Sequence, residues 1–105
     1  MFTTVFIFIS GSAHAEEHNA GLYYGKERML VFGATNVEEG IEVAKRVVEQ
    51  ENCRIIELCG GFSEEDARAV KKATRGKALV GRVVYFDEDA GLVAEIVEEL
   101  SKINL

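Results

Sequence analysis

Arg54-Ile55-Ile56-Glu57-Leu58-Cys59-Gly60-Gly61-Phe62-Ser63-Glu64-Glu65-Asp66 decides the fold. An apolar run passes through two glycines into an acidic segment opened by a serine. Ser63 and Asp66 stand three apart, the spacing of a capping box, in which each residue's side chain accepts the other's backbone N–H. Ala67, Val70 and Ala73 follow at helical spacing, and Gly76 is a natural stop. The stretch therefore predicts a strand, a tight turn and the start of a helix.

Working outward, the same alternation recurs. Strands are predicted over Thr3–Ile9, Met29–Phe32, Arg54–Cys59 and Leu79–Phe86. Three of them are near-continuous apolar runs, as in strands buried on both faces. Val37, Ile41, Ala44, Val47 and Val48 predict a helix over Val37–Glu51, with Thr35 and Glu38 placed as its capping box. Leu92, Val93, Ile96, Val97, Leu100 and Ile103 give the strongest apolar stripe, on a last helix from Ala90 to Asn104. Ala13–Tyr24 reads as a short helix capped by Ser12 and ended by Gly25.

The sum is an α/β chain of four βα units. It predicts a mostly parallel four-stranded sheet flanked by helices on both faces, flavodoxin-like or half-barrel-like, with right-handed crossovers. The 105 residues form one domain, 1–105, with no internal repeat, linker or proline.

Composition narrows the function classes. With 48% hydrophobic and 29% charged residues, the chain has the balance of a soluble globular protein. A net charge of −6, with Lys and Arg scattered, excludes nucleic acid as the main partner, because counterion release needs a basic face. No membrane partner is expected on the same ground. Met1–Ala15 imitates a signal peptide down to its A-x-A ending, but no Lys or Arg precedes the apolar run. The uninterrupted apolar part is only Val5 to Ile9, and a buried strand explains it better. Cys53 and Cys59, on one strand, would be roughly 20 Å apart, far beyond the ~7 Å Cα separation a disulfide tolerates. A cytoplasmic location follows by default.

In a parallel sheet, ligands bind outside the carboxyl ends of the strands. That rule gathers Ser10-Gly11-Ser12, Gly33–Asn36, Cys59–Ser63 and Asp87–Asp89 at one edge. Candidate catalytic residues are Glu57, Cys59 and His18. Candidate ligand-binding residues are Gly11, Ser12, Gly60, Gly61, Phe62 and Asp87. Glu57 shares a strand face with Ile55 and Cys59, where a carboxylate is costly unless paired or protonated. It is either a general acid/base or ligand anchor, or the structural partner of a buried Arg82. Cys59 precedes a helix amino terminus that favours a thiolate, but Glu57, Glu64, Glu65 and Asp66 oppose it. Gly60-Gly61 offers backbone amides to an anion, and the same three acids of the first turn repel one. Neither a Gly-Lys-Ser/Thr phosphate loop nor a G-x-G-x-x-G is present, and no cofactor is expected.

His14 and His18 lie four apart, so a helix would set them on one face. Without a clear third ligand no metal site is assigned. His18 alone can serve as an acid/base. Tyr23-Tyr24 belongs to the core or to a subunit contact.

These residues resemble a family of small uncharacterised microbial proteins of about a hundred residues. The shared features are Phe6-Ile7-Phe8, Gly11, His18, Ala44-Lys45, the Ile56-to-Phe62 junction Ile-Glu-Leu-Cys-Gly-Gly-Phe, Val80-Gly81 and Asp87. The resemblance spans nearly the whole chain. It implies a compact α/β fold in the cytoplasm and no particular activity. The chain departs at its end, where the helix from Ala90 replaces the family's Gly-rich segment. Two functions are therefore expected from different classes. One is small-molecule binding near Glu57 and Cys59. The other is a non-catalytic oligomerising or regulatory module, with a homo-oligomer expected under either.

Overall fold

The structure, a computed structural model, describes residues 1–103. The expected end of the last helix at Asn104 lies outside the described residues. The elements run β1 (Phe2–Ile9), β2 (Asn19–Tyr24), β3 (Glu27–Ala34), α1 (Val37–Glu51), β4 (Ile55–Leu58), α2 (Glu64–Ala73), β5 (Leu79–Arg82), a 3-10 turn (Asp87–Asp89) and α3 (Ala90–Ile103). All four predicted strands are present, and the α/β class holds.

The sheet has five strands in the order β2-β3-β1-β4-β5, not four. β1 pairs parallel with β3 and β4, and β4 with β5, whereas β2 runs antiparallel to β3. The helix expected over Ala13–Tyr24 is instead a turn followed by β2. Tyr24 faces Glu27 across the two-residue connection Gly25-Lys26. Gly25 has φ 56, the positive value a hairpin of this length takes at its first position. The expected fourth strand also stops early, at Arg82, and residues 83–86 lead irregularly into the 3-10 turn.

This topology dictates where the helices go. β3-α1-β4 and β4-α2-β5 both step across the sheet in the same direction, so two right-handed crossovers place both helices on one face. Val5 and Ile7 of β1, Leu30 of β3, and Ile56 and Leu58 of β4 pack there. Their partners are Val43, Ala44 and Val47 of α1, Val70 of α2 and Phe62. Strand β1 is central, and Thr3, Val5 and Ile7 have no exposure at all. Arg28 fastens this layer at its lower edge. Its Nε donates to Thr3 Oγ1 at 2.8 Å, and its Nη2 meets Glu51 Oε2 at 2.9 Å, at the last turn of α1. That turn carries no basic residue of its own, so Arg28 also supplies the charge its carbonyls favour.

Helices on both faces were expected; only one face has them. The connection from β1 back to β3 would have placed a helix on the opposite face, but it carries β2. The uncovered face presents Phe2, Phe6 and Phe8 of β1, Leu22 and Tyr24 of β2, Met29 and Val31 of β3, and Ile55 and Glu57 of β4. Leu79 and Gly81 of β5 complete it. Among these, Phe2, Leu22, Tyr24 and Leu79 are exposed. Helix α3 does not cover them: it packs against the 3-10 turn before it, and none of its described residues is buried.

Candidate functional site

The carboxyl-end edge of β1, β3, β4 and β5 carries the post-β1 loop, the amino terminus of α1 and the Cys59–Ser63 turn. Its most developed feature is a groove of about 590 Å³ between that loop and the first half of α1. His14, Glu16 and Glu17 line one side; Glu38, Glu39, Glu42 and Arg46 line the other.

The groove is held together by the start of α1. The expected box of Thr35 and Glu38 is displaced by one residue. The cap is Asn36, whose Oδ1 accepts the Glu39 N–H at 2.9 Å. Glu39 reaches back, and its Oε1 accepts the Thr35 N–H at 2.7 Å. Its other oxygen lies 3.3 Å from His14 Nδ1. The Thr35 hydroxyl donates to the Ala13 carbonyl and stands 3.5 Å from the same Nδ1. The Thr35 N–H above all holds the Glu39 carboxyl below its ordinary value of 4.5; burial opposes it, and the His14 imidazole adds a smaller lowering. A carboxylate at Nδ1 orients an imidazole and leaves Nε2 for a ligand. The His14 side chain is two-thirds exposed. Arg46 brings one positive charge to a lining of five carboxylates, and its guanidinium carbon lies 5.6 Å from the centre of the Phe32 ring.

His18 sits in the same turn with a different role. Its Nδ1 accepts the His14 N–H at 2.9 Å, and its carbonyl accepts the Gly33 N–H at 2.8 Å. The turn replaces the helix that would have aligned the two imidazoles. Among the described residues, no group of three or more His, Cys, Asp or Glu is placed to hold a metal ion.

The Glu57–Phe62 junction is a second part of the edge. Glu57 lies on the uncovered sheet face and is exposed, opposite Phe6 of β1 and Gly81 of β5. Its expected partner Arg82 is on the other face, where Nη1 donates to the Phe62 carbonyl at 3.4 Å. Water therefore meets the cost of the Glu57 charge, and the expected buried pair with Arg82 does not form. Cys59 is half-buried, and its Sγ accepts the N–H groups of Ile9 and Gly61, each at 3.3 Å. Both cysteines are free thiols. Cys53 is buried just before β4; burial pushes its thiol up, and its Sγ donates to the Ile55 carbonyl at 3.1 Å.

The turn glycines are solvent-facing, and the Tyr85 ring lies against Gly60. Phe62 points the opposite way: it is fully buried in the helix-covered core, against Gly40 of α1. Gly11 and Ser12 are exposed in the post-β1 loop, and Asp87 is exposed at the start of the 3-10 turn. Glu57, Cys59, Gly60 and Gly61 line neither the groove nor a second concavity of about 380 Å³. That second concavity is formed by Arg68, Lys71, Lys72 and Arg75 at the carboxyl end of α2, where cations offset the helix dipole.

Sequence reasoning missed His14, Thr35 and Glu39 as a cluster. The available signal was Asn36 followed three residues later by Glu39, a capping spacing overlooked in favour of Thr35 and Glu38. No helix among the described residues is long and apolar enough to cross a membrane.

Comparison with curated proteins and with solved structures gives no match. A family profile matches residues 2–98, almost the whole chain, so the protein belongs to the family described as "Family of unknown function (DUF6506)".

Proposed function

We propose that this protein binds a small, positively charged molecule at the carboxyl-end edge of its parallel strands. The observation that carries this reading is the groove of about 590 Å³ that a Glu39-oriented His14 lines together with Glu16, Glu17, Glu38 and Glu42. Concave sites with a few convergent polar groups are where ligands bind, and strand ends are where α/β sheets place them. The carboxylates favour an ammonium group, and the chain's net charge of −6 steers cations toward it. His14 Nε2 supplies a neutral acceptor or a donor beside that charge.

A second reading centres the ligand on Glu57, Cys59 and the Gly60-Gly61 turn. It is favoured by the two N–H groups directed at Cys59 Sγ, which fix the thiol at the strand end.

Thermal-shift screening against a panel of primary and quaternary amines tests both. The expected result is a stabilising amine whose shift disappears in His14→Ala and survives in Glu57→Gln. A shift lost only in Glu57→Gln would transfer the site to the β4 strand end. No shift from any amine would remove the cationic ligand.

A further inference from the structure

The uncovered sheet face and α3 are two unpartnered apolar surfaces on one chain. The face carries Phe2, Leu22, Tyr24 and Leu79, all exposed, and continues into Val83, Val84, Tyr85 and Phe86. The helix exposes Leu92, Ile96, Val97 and Ile103, which recur at helical spacing. Soluble monomers rarely expose contiguous apolar patches larger than a few hundred Å².

The surface of the whole molecule measures what is missing. A folded monomer of 11.6 kDa should expose about 5,800 Å². This chain exposes 7183 Å², an excess of about 1,300 Å² over that scaling. Its radius of gyration is 14.2 Å, where about 13 Å is usual for this length. The chain is extended by one projecting helix, and its surplus surface is of the size a partner covers.

We infer that the occupant of the sheet face is a second copy of this chain. Each protomer lays its α3 across the uncovered face of the other, around a two-fold axis. The argument for this occupant is area. Two copies that each bury about 1,300 Å² hide about 2,600 Å² in total, within the range of obligate homodimers. A two-fold exchange also satisfies both orphan surfaces at once, because the patch that donates the helix and the patch that receives it belong to the same chain. Gly81 marks a place for close approach. Nothing lies within 4 Å of where its side chain would start, and a glycine inside a strand leaves room for another backbone. Glu57, beside Gly81 on this face, becomes an interface carboxylate in the dimer. This inference is independent of the groove at His14, which lies on the helix-covered side of the strand ends.

Sedimentation equilibrium of the full chain, with circular dichroism as the control for folding, tests it. The wild type is expected at twice 11.6 kDa. Ile96→Glu on the helix and Leu79→Glu on the sheet face are each expected to weaken association by about a hundredfold or more, since each buries an unpaired charge. Leu22→Glu, on an exposed edge strand away from the core, is a second sheet-face variant should Leu79→Glu fail to fold. A monomeric wild type overturns the inference. So does a dimer that Ile96→Glu disrupts while both sheet-face variants leave it intact, because that pattern belongs to a helix-to-helix contact. A dimer that survives all three substitutions also overturns it, pointing to pairing along the free edge of β2.

Discussion

At the scale of single residues, Glu39 joins more of the candidate site than any other side chain. It gives its own N–H to the Asn36 cap of α1, accepts the Thr35 N–H and holds His14. Its folded-state pKa is depressed from 4.5. A depressed carboxylate gives stability that is fully present above the unfolded value and is lost as pH falls through the folded one. Glu39→Gln keeps an oxygen that can accept the Thr35 N–H but removes the charge. It should cost about 1 kcal/mol near neutral pH, the size of a capping interaction. The gap to wild type should narrow below pH 4.5 and close once Glu39 is protonated in the native state. Urea denaturation of both proteins across that range is the measurement. A gap that does not change with pH would mean the charge is not what Glu39 contributes. Glu57 teaches the opposite lesson. Its position on a strand of apolar neighbours was legible, but its exposure was not, because alternation says which face a residue takes and not whether that face is covered.

At the scale of elements, the strands and helices that bury a face were legible, because burial writes periodicity into sequence. The Ser63–Asp66 capping box and the helix behind it stand as expected, as do β1, β3, β4 and α1. β2 was missed for the converse reason. All six of its residues are exposed, so Asn19–Tyr24 carries no buried alternation, and Ser12 and Gly25 read as the cap and end of a helix. The tight Gly25-Lys26 turn was the remaining hint. Packing between elements can also reverse a local preference, as Gly40 in α1 illustrates. Replacing a helical glycine by alanine ordinarily stabilises by about 1 kcal/mol. Here a methyl group would meet Phe62 Cζ at 2.9 Å and Cε2 at 3.2 Å, and that ring is fully buried. Gly40→Ala should therefore destabilise, by about 1–2 kcal/mol once overpacking is set against propensity. Chemical denaturation checks the sign, and a more stable variant would show that the Phe62 ring can shift away from α1 at no cost.

At the scale of the whole molecule, one missed strand accounts for the missed architecture. A helix between β1 and β3 would have covered the second face of the sheet; β2 widens the sheet instead and leaves that face open. The strong apolar stripe of α3 was legible, but its destination was not, since a stripe names the need for a partner without saying which chain provides it. Hydrogen exchange separates the possibilities. Amides of β1, hydrogen-bonded to β3 and β4 and free of exposure at Val5 and Ile7, should open only with global unfolding. A 14-residue helix is marginal in water on its own, so slow exchange in α3 has to come from packing. If that packing is against a second copy, α3 amides should exchange quickly in dilute protein and slow as concentration rises, while β1 amides stay slow throughout. Slow exchange of α3 at every concentration would mean that the helix folds back onto the sheet of its own chain. Fast exchange at every concentration would mean that nothing covers it.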